Sequence, residues 1–310
     1  MEKFIILPDF TCDLSSEIRN FIGMSDYAKG HIHLADGHDI DGTLDWDGIS
    51  REEFYKALSN KNSNISTSPL NAEEYYRFFG NYVKQGYSII SISLSSKISS
   101  TYNFASSAAN RLSVEYPNTR IVCIDSLRMS GGIGLLTVYA HIMKNDGYTF
   151  DEIVEWIEHN KNSVHQMGPI DDLFFIARRG RITMGKAIMG SFAGVKPMGD
   201  CNSEGYTTVL TKVKGIAKAL DITVRYVNET AVNIKEQYVL VVHSDREEYA
   251  NVLKDKLEKE LSPKAVLLSD VYCGCGANIG PGMVGVYYLG NPVSEDLVVE
   301  KEAMNRVVSK

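Results

Sequence analysis

The segment YSIISISLSSKISSTYNFASSAA, residues 87–109, joins a strand pattern, a polar loop and the start of a helix. Residues 88–94 mix isoleucine with small residues as buried strands do, and residues 97–109 have the small-residue spacing of a closely packed helix. Ser95 and Ser96 lie between them. In open α/β sheets, ligands bind beyond the carboxyl ends of the strands, where a helix start favours an anion. This loop is therefore the first candidate site; alternatively, its serines only cap the helix.

The flanking segments continue the alternation of strand and helix. Strands are predicted at residues 3–7 and 121–126, and helices at 72–84 and 132–145. Alternation of this kind favours a parallel sheet with helices on both faces. The sequence therefore predicts an N-terminal α/β domain at residues 1–164, with a parallel sheet flanked by helices.

The second half, residues 165–310, has a different pattern. The residues KPMGDCNSEGYTTVLTKVK, 196–214, predict a hairpin, and later strands alternate with helices. The glycine-rich residues 273–285 are predicted to form a loop, and a last strand at 285–288 precedes a polar tail. We expect a C-terminal α/β domain with a mixed or antiparallel sheet, so the fold class is α/β with two domains.

Composition restricts the classes of partner. The chain has 310 residues, is 44% hydrophobic and carries a formal net charge of -7. Nucleic acid is not expected as a partner, because phosphate binding needs clustered basic residues and only residues 178–181 come close. No apolar stretch of about 20 residues is present for stable membrane insertion. The start has no signal-peptide pattern, so a cytoplasmic location is expected.

Familiar cofactor motifs are not found. The sequence has no P-loop, no G-x-S-x-G elbow and no C-x-x-C pair. Gly274, Gly276 and Gly280 only approach a dinucleotide fingerprint. The histidines and aspartates of residues 31–39 resemble a set of metal ligands, but turn-forming Asp and Gly residues explain the acids, and strand alternation explains the H-x-H pattern, without a metal. We expect neither a metal nor another cofactor.

Two hydroxyl-bearing loops remain, around Thr67 and around Ser95, together with a glycine-rich loop at residues 276–282. Hydroxyls and backbone N–H groups facing an apolar crevice can hold a carboxylate without catalysis, through charge-assisted hydrogen bonds. A binding function is therefore as compatible with these residues as an enzymatic one.

An ordered set of motifs resembles the DegV family of bacterial fatty-acid-binding proteins. The family patterns are D-S-T-A-D-L, T-S-Q-P-S-P, S-S-x-L-S-G-T-Y, V-x-D-S, D-L-x-Y-L-x-R-G-G-R-I and H-T-G-P-G. The corresponding segments here are DFTCDL (9–14), TSPLN (67–71), SSKISSTY (95–102), VCIDS (122–126), DLFFIARRGRI (172–182) and NIGPG (278–282). Each motif alone is weak, but their shared order covers nearly the whole chain.

The resemblance implies a two-domain fold of the DegV (EDD-like) type and one long-chain fatty acid bound between the domains. It implies that Thr67, Ser95, Ser96 and Asn278 bind the carboxylate. It also implies a partner, an ATP-dependent fatty acid kinase of phospholipid metabolism that makes an acyl phosphate, with Arg178 where the family docks this partner. On this interpretation the protein presents a substrate and is not itself an enzyme.

Four of this chain's departures from the family pattern bear on the expected head-group preference. Asn278 and Ile279 replace the His and Thr of H-T-G-P-G, Phe10 replaces the first Ser, and Ser100 replaces a Gly. Since an amide cannot carry charge, we expect the head-group site to lose any pH response due to that imidazole. The preference for the head group is expected to differ accordingly.

Two alternatives stay open at this point. The serine-rich loop could belong to an enzyme acting on a small carboxylated or phosphorylated substrate, or the lipid could be a signal in a ligand-regulated interaction protein. The basic cluster of Arg178, Arg179 and Arg181 could dock a partner or could be a solvated helix end, where basic residues are favoured.

Overall fold

A three-stranded parallel sheet is the centre of the first half. The computed structural model describes residues 3–60, 64–182 and 194–309. The first-half elements are β1 (Phe4–Pro8), α1 (Ser16–Ile22), β2 (Gly30–His33), β3 (Asp39–Gly42), α2 (Arg51–Ser59), β4 (Ser66–Ser68), α3 (Ala72–Val83), β5 (Ser88–Ser93), α4 (Thr101–Glu115), β6 (Ile121–Asp125), α5 (Gly131–Asn145) and α6 (Phe150–Asn160). The strand order is β1-β5-β6, with all pairs parallel.

Both faces of this sheet are buried, which explains why β5 has no polar face. Ile89 packs in a cluster with residues of α3 and α4, whereas Ile90 and Ile92 belong to a cluster with residues of α5. Successive side chains of a strand point to opposite faces, so a strand covered on both sides must be apolar throughout or use small residues.

The second half is built on a mixed sheet and a separate hairpin. Its elements are β7 (Val164–Met167), α7 (Leu173–Arg178), β8 (Val195–Cys201), β9 (Thr207–Lys214), α8 (Ile216–Thr230), β10 (Tyr238–His243), α9 (Glu247–Leu261), β11 (Ala265–Asp270), α10 (Cys273–Ile279), β12 (Val284–Leu289) and α11 (Val298–Val308). The strand order is β11-β10-β12-β7, in which only β10 and β11 are parallel, and β8 pairs with β9. The predicted fold class is confirmed.

Capping residues set several helix starts. Asn71 and Glu74 form a reciprocal capping box at α3, and Ser50 with Glu53 forms another at α2. Each box satisfies backbone N–H groups that lack a partner within the helix. The start of α3 agrees with the helix predicted at residues 72–84.

Four local predictions are wrong. Thr67 lies in strand β4, which pairs antiparallel with β2, and not in a loop. Residues 273–279 form helix α10, and a helix, α11, follows the last strand. The helix after the serine loop begins at Thr101, four residues later than expected. In each case contacts with distant segments override the local preference of glycine, serine or polar residues.

The two halves share a continuous core. A backbone oxygen of Cys12 and the side chain of Leu240 approach Gly134 so closely that a Cβ there would lie 2.4 and 2.9 Å from them. Asp270 of the second half accepts hydrogen bonds from Trp46 (2.8 Å) and Arg51 (3.2 Å) of the first. The division at residues 164 and 165, at the start of β7, stays a prediction. None of the helices in the described ranges has the length and apolarity needed to span a bilayer.

Candidate functional site

An apolar cavity lies between the two halves of the chain. Its empty space, including open solvent at the mouth, is about 1100 Å³. The walls include Leu94 and Ile98 from the first half, and Ile176, Ile279 and Met283 from the second. Concave, mainly apolar sites with a few polar groups are typical of small-molecule binding. The arrangement therefore suits a ligand that is mostly hydrocarbon.

A polar pair from opposite halves lies in the wall of this cavity. Nδ2 of Asn278, in α10, donates a hydrogen bond to Oγ1 of Thr67, in β4, over 3.1 Å. The same amide also donates to the carbonyl of Gly274 at 3.4 Å. Both amide protons are therefore used, whereas the Thr67 hydroxyl, which accepts one of them, still has its own proton to donate. Asn278 thus orients the Thr67 hydroxyl.

The serine loop contributes to the cavity through different residues from those predicted. Ser99 and Thr101 line it, and their hydroxyls are 2.7 Å apart. Ser95 is fully buried, and its hydroxyl accepts the N–H of Lys97 at 3.3 Å. Ser96 faces a neighbouring, more polar pocket. Carboxylate binding by Thr67, Ser95, Ser96 or Asn278 stays a prediction.

A buried carboxylate fixes two backbone segments that line the cavity. Asp9 accepts the N–H of Thr11 at 2.8 Å and the N–H of Leu94 at 2.7 Å, as well as the Thr11 hydroxyl. Burial raises the pKa of Asp9, while these hydrogen bonds oppose the rise. The residue acts by positioning the ends of β1 and β5.

A second buried carboxylate lies behind the wall. Asp13 accepts hydrogen bonds from the Ser130 hydroxyl (2.6 Å) and the N–H of Tyr272 (2.9 Å). Burial raises the pKa of Asp13 to about 8, although these hydrogen bonds oppose the rise. Its environment therefore favours the neutral acid.

Three further lining residues were missed by the sequence analysis. Gln166 donates from Nε2 to Oγ1 of Thr207 at 3.1 Å, and that hydroxyl in turn donates to the sulfur of Met129 at 3.3 Å. These residues come from three separate segments, and no local motif marks them. Only the pairing of β7 within the second sheet places Gln166 at the cavity.

Phe10, one of the departures from the family pattern, is buried and lines the cavity. A Cβ at Gly30, Gly42 or Gly274 would lie 2.3, 2.4 or 2.7 Å from its ring. These glycines therefore make room for an aromatic ring at this position. The ring occupies space that a serine would leave open, so it shapes this part of the wall.

The basic cluster lies at the end of α7. Arg178 is exposed and forms a long ion pair with Asp172, at 3.8 Å. Arg181 lines the cavity and donates to the carbonyl of Arg179. The glycine-rich stretch that follows, residues 183–193, lies outside the described residues.

The histidines of residues 31–39 form pairs with acidic residues. His33 lies 2.7 Å from Asp39, and His31 lies 3.1 Å from Glu74. Within the described ranges, no group of three or more metal-ligating side chains comes together.

The comparison with known families agrees with this architecture. The family described as "Uncharacterised protein, DegV family" matches residues 6–291. The chain belongs to the DegV family. A DegV domain-containing protein of Clostridium perfringens is 34% identical over 294 residues, covering 94% of this chain and 99% of that protein. The resemblance stated from the motifs is thereby confirmed.

Solved DegV structures share the fold. A fatty-acid-binding DegV protein of Thermus thermophilus superposes with a TM-score of 0.82 at 21% identity, covering 93% of this chain and 99% of that one. The fatty acid kinase (Fak) B3 protein of Streptococcus pneumoniae, loaded with linoleic acid, has a TM-score of 0.78 at 15% identity, covering 93% and 100%.

Proposed function

We propose that this DegV protein binds one long-chain fatty acid in the cavity between its halves and presents the carboxylate to a partner ATP-dependent acyl kinase. The observation that carries the proposal is an apolar cavity with a hydrogen-bonded polar pair, Thr67 and Asn278, in its wall. The fatty acids bound by the Thermus and Streptococcus relatives support the same assignment.

The tail supplies most of the affinity in this proposal. Each methylene removed from water contributes about 0.8 kcal/mol, so fourteen contribute about 11 kcal/mol before the ordering costs. Apolar side chains such as Leu94, Ile98 and Met283 offer the required surface. A head group needs only enough hydrogen bonds to offset its desolvation.

The head group is held by neutral donors. The Thr67 hydroxyl has a free proton, and the Ser99 and Thr101 hydroxyls form a second donor pair in the same cavity. Hydrogen bonds to a charged carboxylate are about twice as strong as neutral ones. In this arrangement the acid stays ionised, and a carboxylate oxygen stays available as a nucleophile for phosphoryl transfer.

Extraction of the purified protein under denaturing conditions, followed by mass spectrometry, tests the binding step. We expect one long-chain fatty acid per chain. A protein that is empty and does not take up palmitate or oleate would contradict the proposal. Measured turnover of a small carboxylated substrate that is lost in Ser95→Ala would favour the enzyme alternative, and capture of a partner other than a kinase would favour the signalling alternative.

Substitution of Arg178 tests the proposed docking of the partner kinase. Because its guanidinium is exposed and only weakly paired, it is free to meet an acidic surface. We expect Arg178→Ala to retain palmitate with unchanged affinity but to slow acyl-phosphate formation with the cognate kinase by about tenfold. The partly exposed Arg225, in α8, is the control, and Arg225→Ala should change neither measurement. Equal loss of both activities in Arg178→Ala would show that it is not a docking residue.

A further inference from the structure

A second, more polar pocket adjoins the mouth of the cavity. It shares Ile98, Ser99 and Arg181 with the cavity, so the two spaces adjoin at the serine loop. Lys97 and Ser100 line only the outer pocket. A ligand seated with its tail in the cavity would therefore place its head group at the boundary between the two.

The outer pocket carries positive charge that is not neutralised locally. Lys97 and Arg181 line it, and no Asp or Glu is found among its described lining residues. No ion pair joins either cation to a carboxylate in the described parts of the chain. Burial, and after it the positive charges of Arg181 and Arg178, lower the pKa of Arg179. Two cations left unpaired in a chain of net charge -7 favour an anionic ligand.

Hydrogen-bond donors complete the lining. Ser96, Ser100 and Asn103 contribute side-chain donors. The pocket also lies at the start of α4, a 15-residue helix whose N-cap residue, Ser100, makes no side-chain capping bond. The first N–H groups of a helix lack partners within the helix and favour an anion. One oxygen of the nearby Asp125 carboxylate, Oδ1, accepts the N–H groups of Ser96 and Leu127, and no ion pair joins this carboxylate to Lys97 or Arg181 in the described residues.

We propose that this outer pocket binds the phosphate group of an acyl phosphate whose tail remains in the cavity; the inference rests on the function proposed above. In the kinase reaction, a carboxylate oxygen attacks the terminal phosphorus of ATP. The bond from that phosphorus to its bridging oxygen breaks, and ADP leaves with the electron pair. The product carries more negative charge than the carboxylate, so cations beside the mouth stabilise the product more than the substrate.

The proposal predicts that the two cations discriminate between head groups. We would titrate the protein, after removal of bound lipid, with palmitate and with hexadecyl phosphate, a stable monoester with a tail of equal length. The measured quantity is the dissociation constant for hexadecyl phosphate divided by that for palmitate. We expect this ratio to rise about threefold in Lys97→Ala and about tenfold in Arg181→Ala.

Two control variants make the outcome decisive. Lys218→Ala removes an exposed lysine of α8 and should leave the ratio unchanged, and Arg181→Lys should restore part of it. A ratio unchanged in both Lys97→Ala and Arg181→Ala would overturn the proposal, even if palmitate binds normally. Failure to bind palmitate at all would instead contradict the proposed fatty-acid function.

A further titration separates a lipid phosphate from a free one. Inorganic phosphate should bind palmitate-loaded protein far more weakly than hexadecyl phosphate binds the empty protein, because the tail supplies most of the affinity. Binding of inorganic phosphate as tight as that of hexadecyl phosphate would show that the pocket serves a separate anion, and would overturn the assignment.

Discussion

At the scale of single residues, the contact between Thr67 and Asn278 fixes which proton the Thr67 hydroxyl can still donate in the proposed function. The amide of Asn278 donates one proton to Thr67 and the other to the carbonyl of Gly274, so the threonine hydroxyl must direct its own proton away from Asn278. Asn278 stands where the family pattern has a histidine. The hydrogen-bond donor survives that replacement, whereas the titratable charge does not.

Removal of the Thr67 hydroxyl should weaken binding without changing the shape of the wall. We expect Thr67→Val to raise the dissociation constant for palmitate about tenfold, because one charge-assisted hydrogen bond is lost. Titration of the delipidated protein with palmitate measures the effect. Thr211, in β9, does not line the cavity and provides the control, Thr211→Val. Equal affinities of the two variants would show that Thr67 does not bind the head group.

Asp13 should make stability depend on pH. The unfolded carboxyl loses its proton near its ordinary pKa of 3.8, whereas burial keeps the folded one protonated to about 8. Between these values the folded state binds one more proton, so the free energy of unfolding falls as the pH rises. Relative to Asp13→Asn, we expect the wild type to lose about 1.4 kcal/mol per unit between pH 5 and 7. Denaturant titrations at several pH values measure this, and parallel curves would contradict it.

At the scale of elements, helix α10 shows why glycine is needed in a place where local propensity opposes it. A Cβ at Gly276 would lie 2.8 Å from the ring of Phe54 and 2.9 Å from the hydroxyl of Tyr55. That hydroxyl is held by a 2.5 Å hydrogen bond to the carbonyl of Val271. The short helix can pack against α2 only because it has no side chain there.

The same substitution should therefore have opposite effects in two helices. We expect Gly276→Ala to lower the free energy of unfolding by about 1–3 kcal/mol, because overpacking outweighs the gain in helix propensity. Gly80→Ala, in α3, should raise it by up to about 1 kcal/mol, since the nearest atom, on Leu112, would be 3.9 Å away. Urea unfolding of both variants checks the pair. Stabilisation by Gly276→Ala would refute the packing argument.

At the scale of the whole molecule, the halves are joined by hydrogen bonds to Asp270 and by a shared apolar cluster. Asp270 receives hydrogen bonds from Trp46 and Arg51 of the first half, and His243 lies 3.3 Å away in its own half. The largest apolar cluster also contains residues from both halves, among them Ile133 and Leu240. We therefore expect the halves to unfold together.

Loss of the Asp270 carboxylate tests this coupling. We expect the wild type to show one transition by circular dichroism and by tryptophan fluorescence. Asp270→Ala should lower the free energy of unfolding by about 1–3 kcal/mol, because the Trp46 N–H loses its acceptor. Asp151→Ala breaks an exposed ion pair with Arg120 and should cost less than about 1 kcal/mol. Two separate transitions in the wild type would contradict the shared core.

Hydrophobic periodicity and capping residues were sufficient to predict most helices and strands of this protein. The buried run of β5 and the capping boxes at Ser50 and Asn71 depend on near neighbours in the chain, so they can be recognised locally. The order of the motifs was likewise sufficient to identify the family. These features needed no knowledge of which distant residues meet.

The composition of the site was decided only by the tertiary structure. Thr67 and Asn278 are 211 positions apart, and they meet because β4 and α10 pack together. Ser99 and Thr101 reach the cavity while Ser95 is buried, since the direction of each side chain depends on how the loop turns against its neighbours. No local sequence pattern marks Gln166 or Thr207 as a residue that lines the cavity. A binding site forms where distant segments of the chain meet. The long-range packing that brings them together is not encoded in any short sequence pattern.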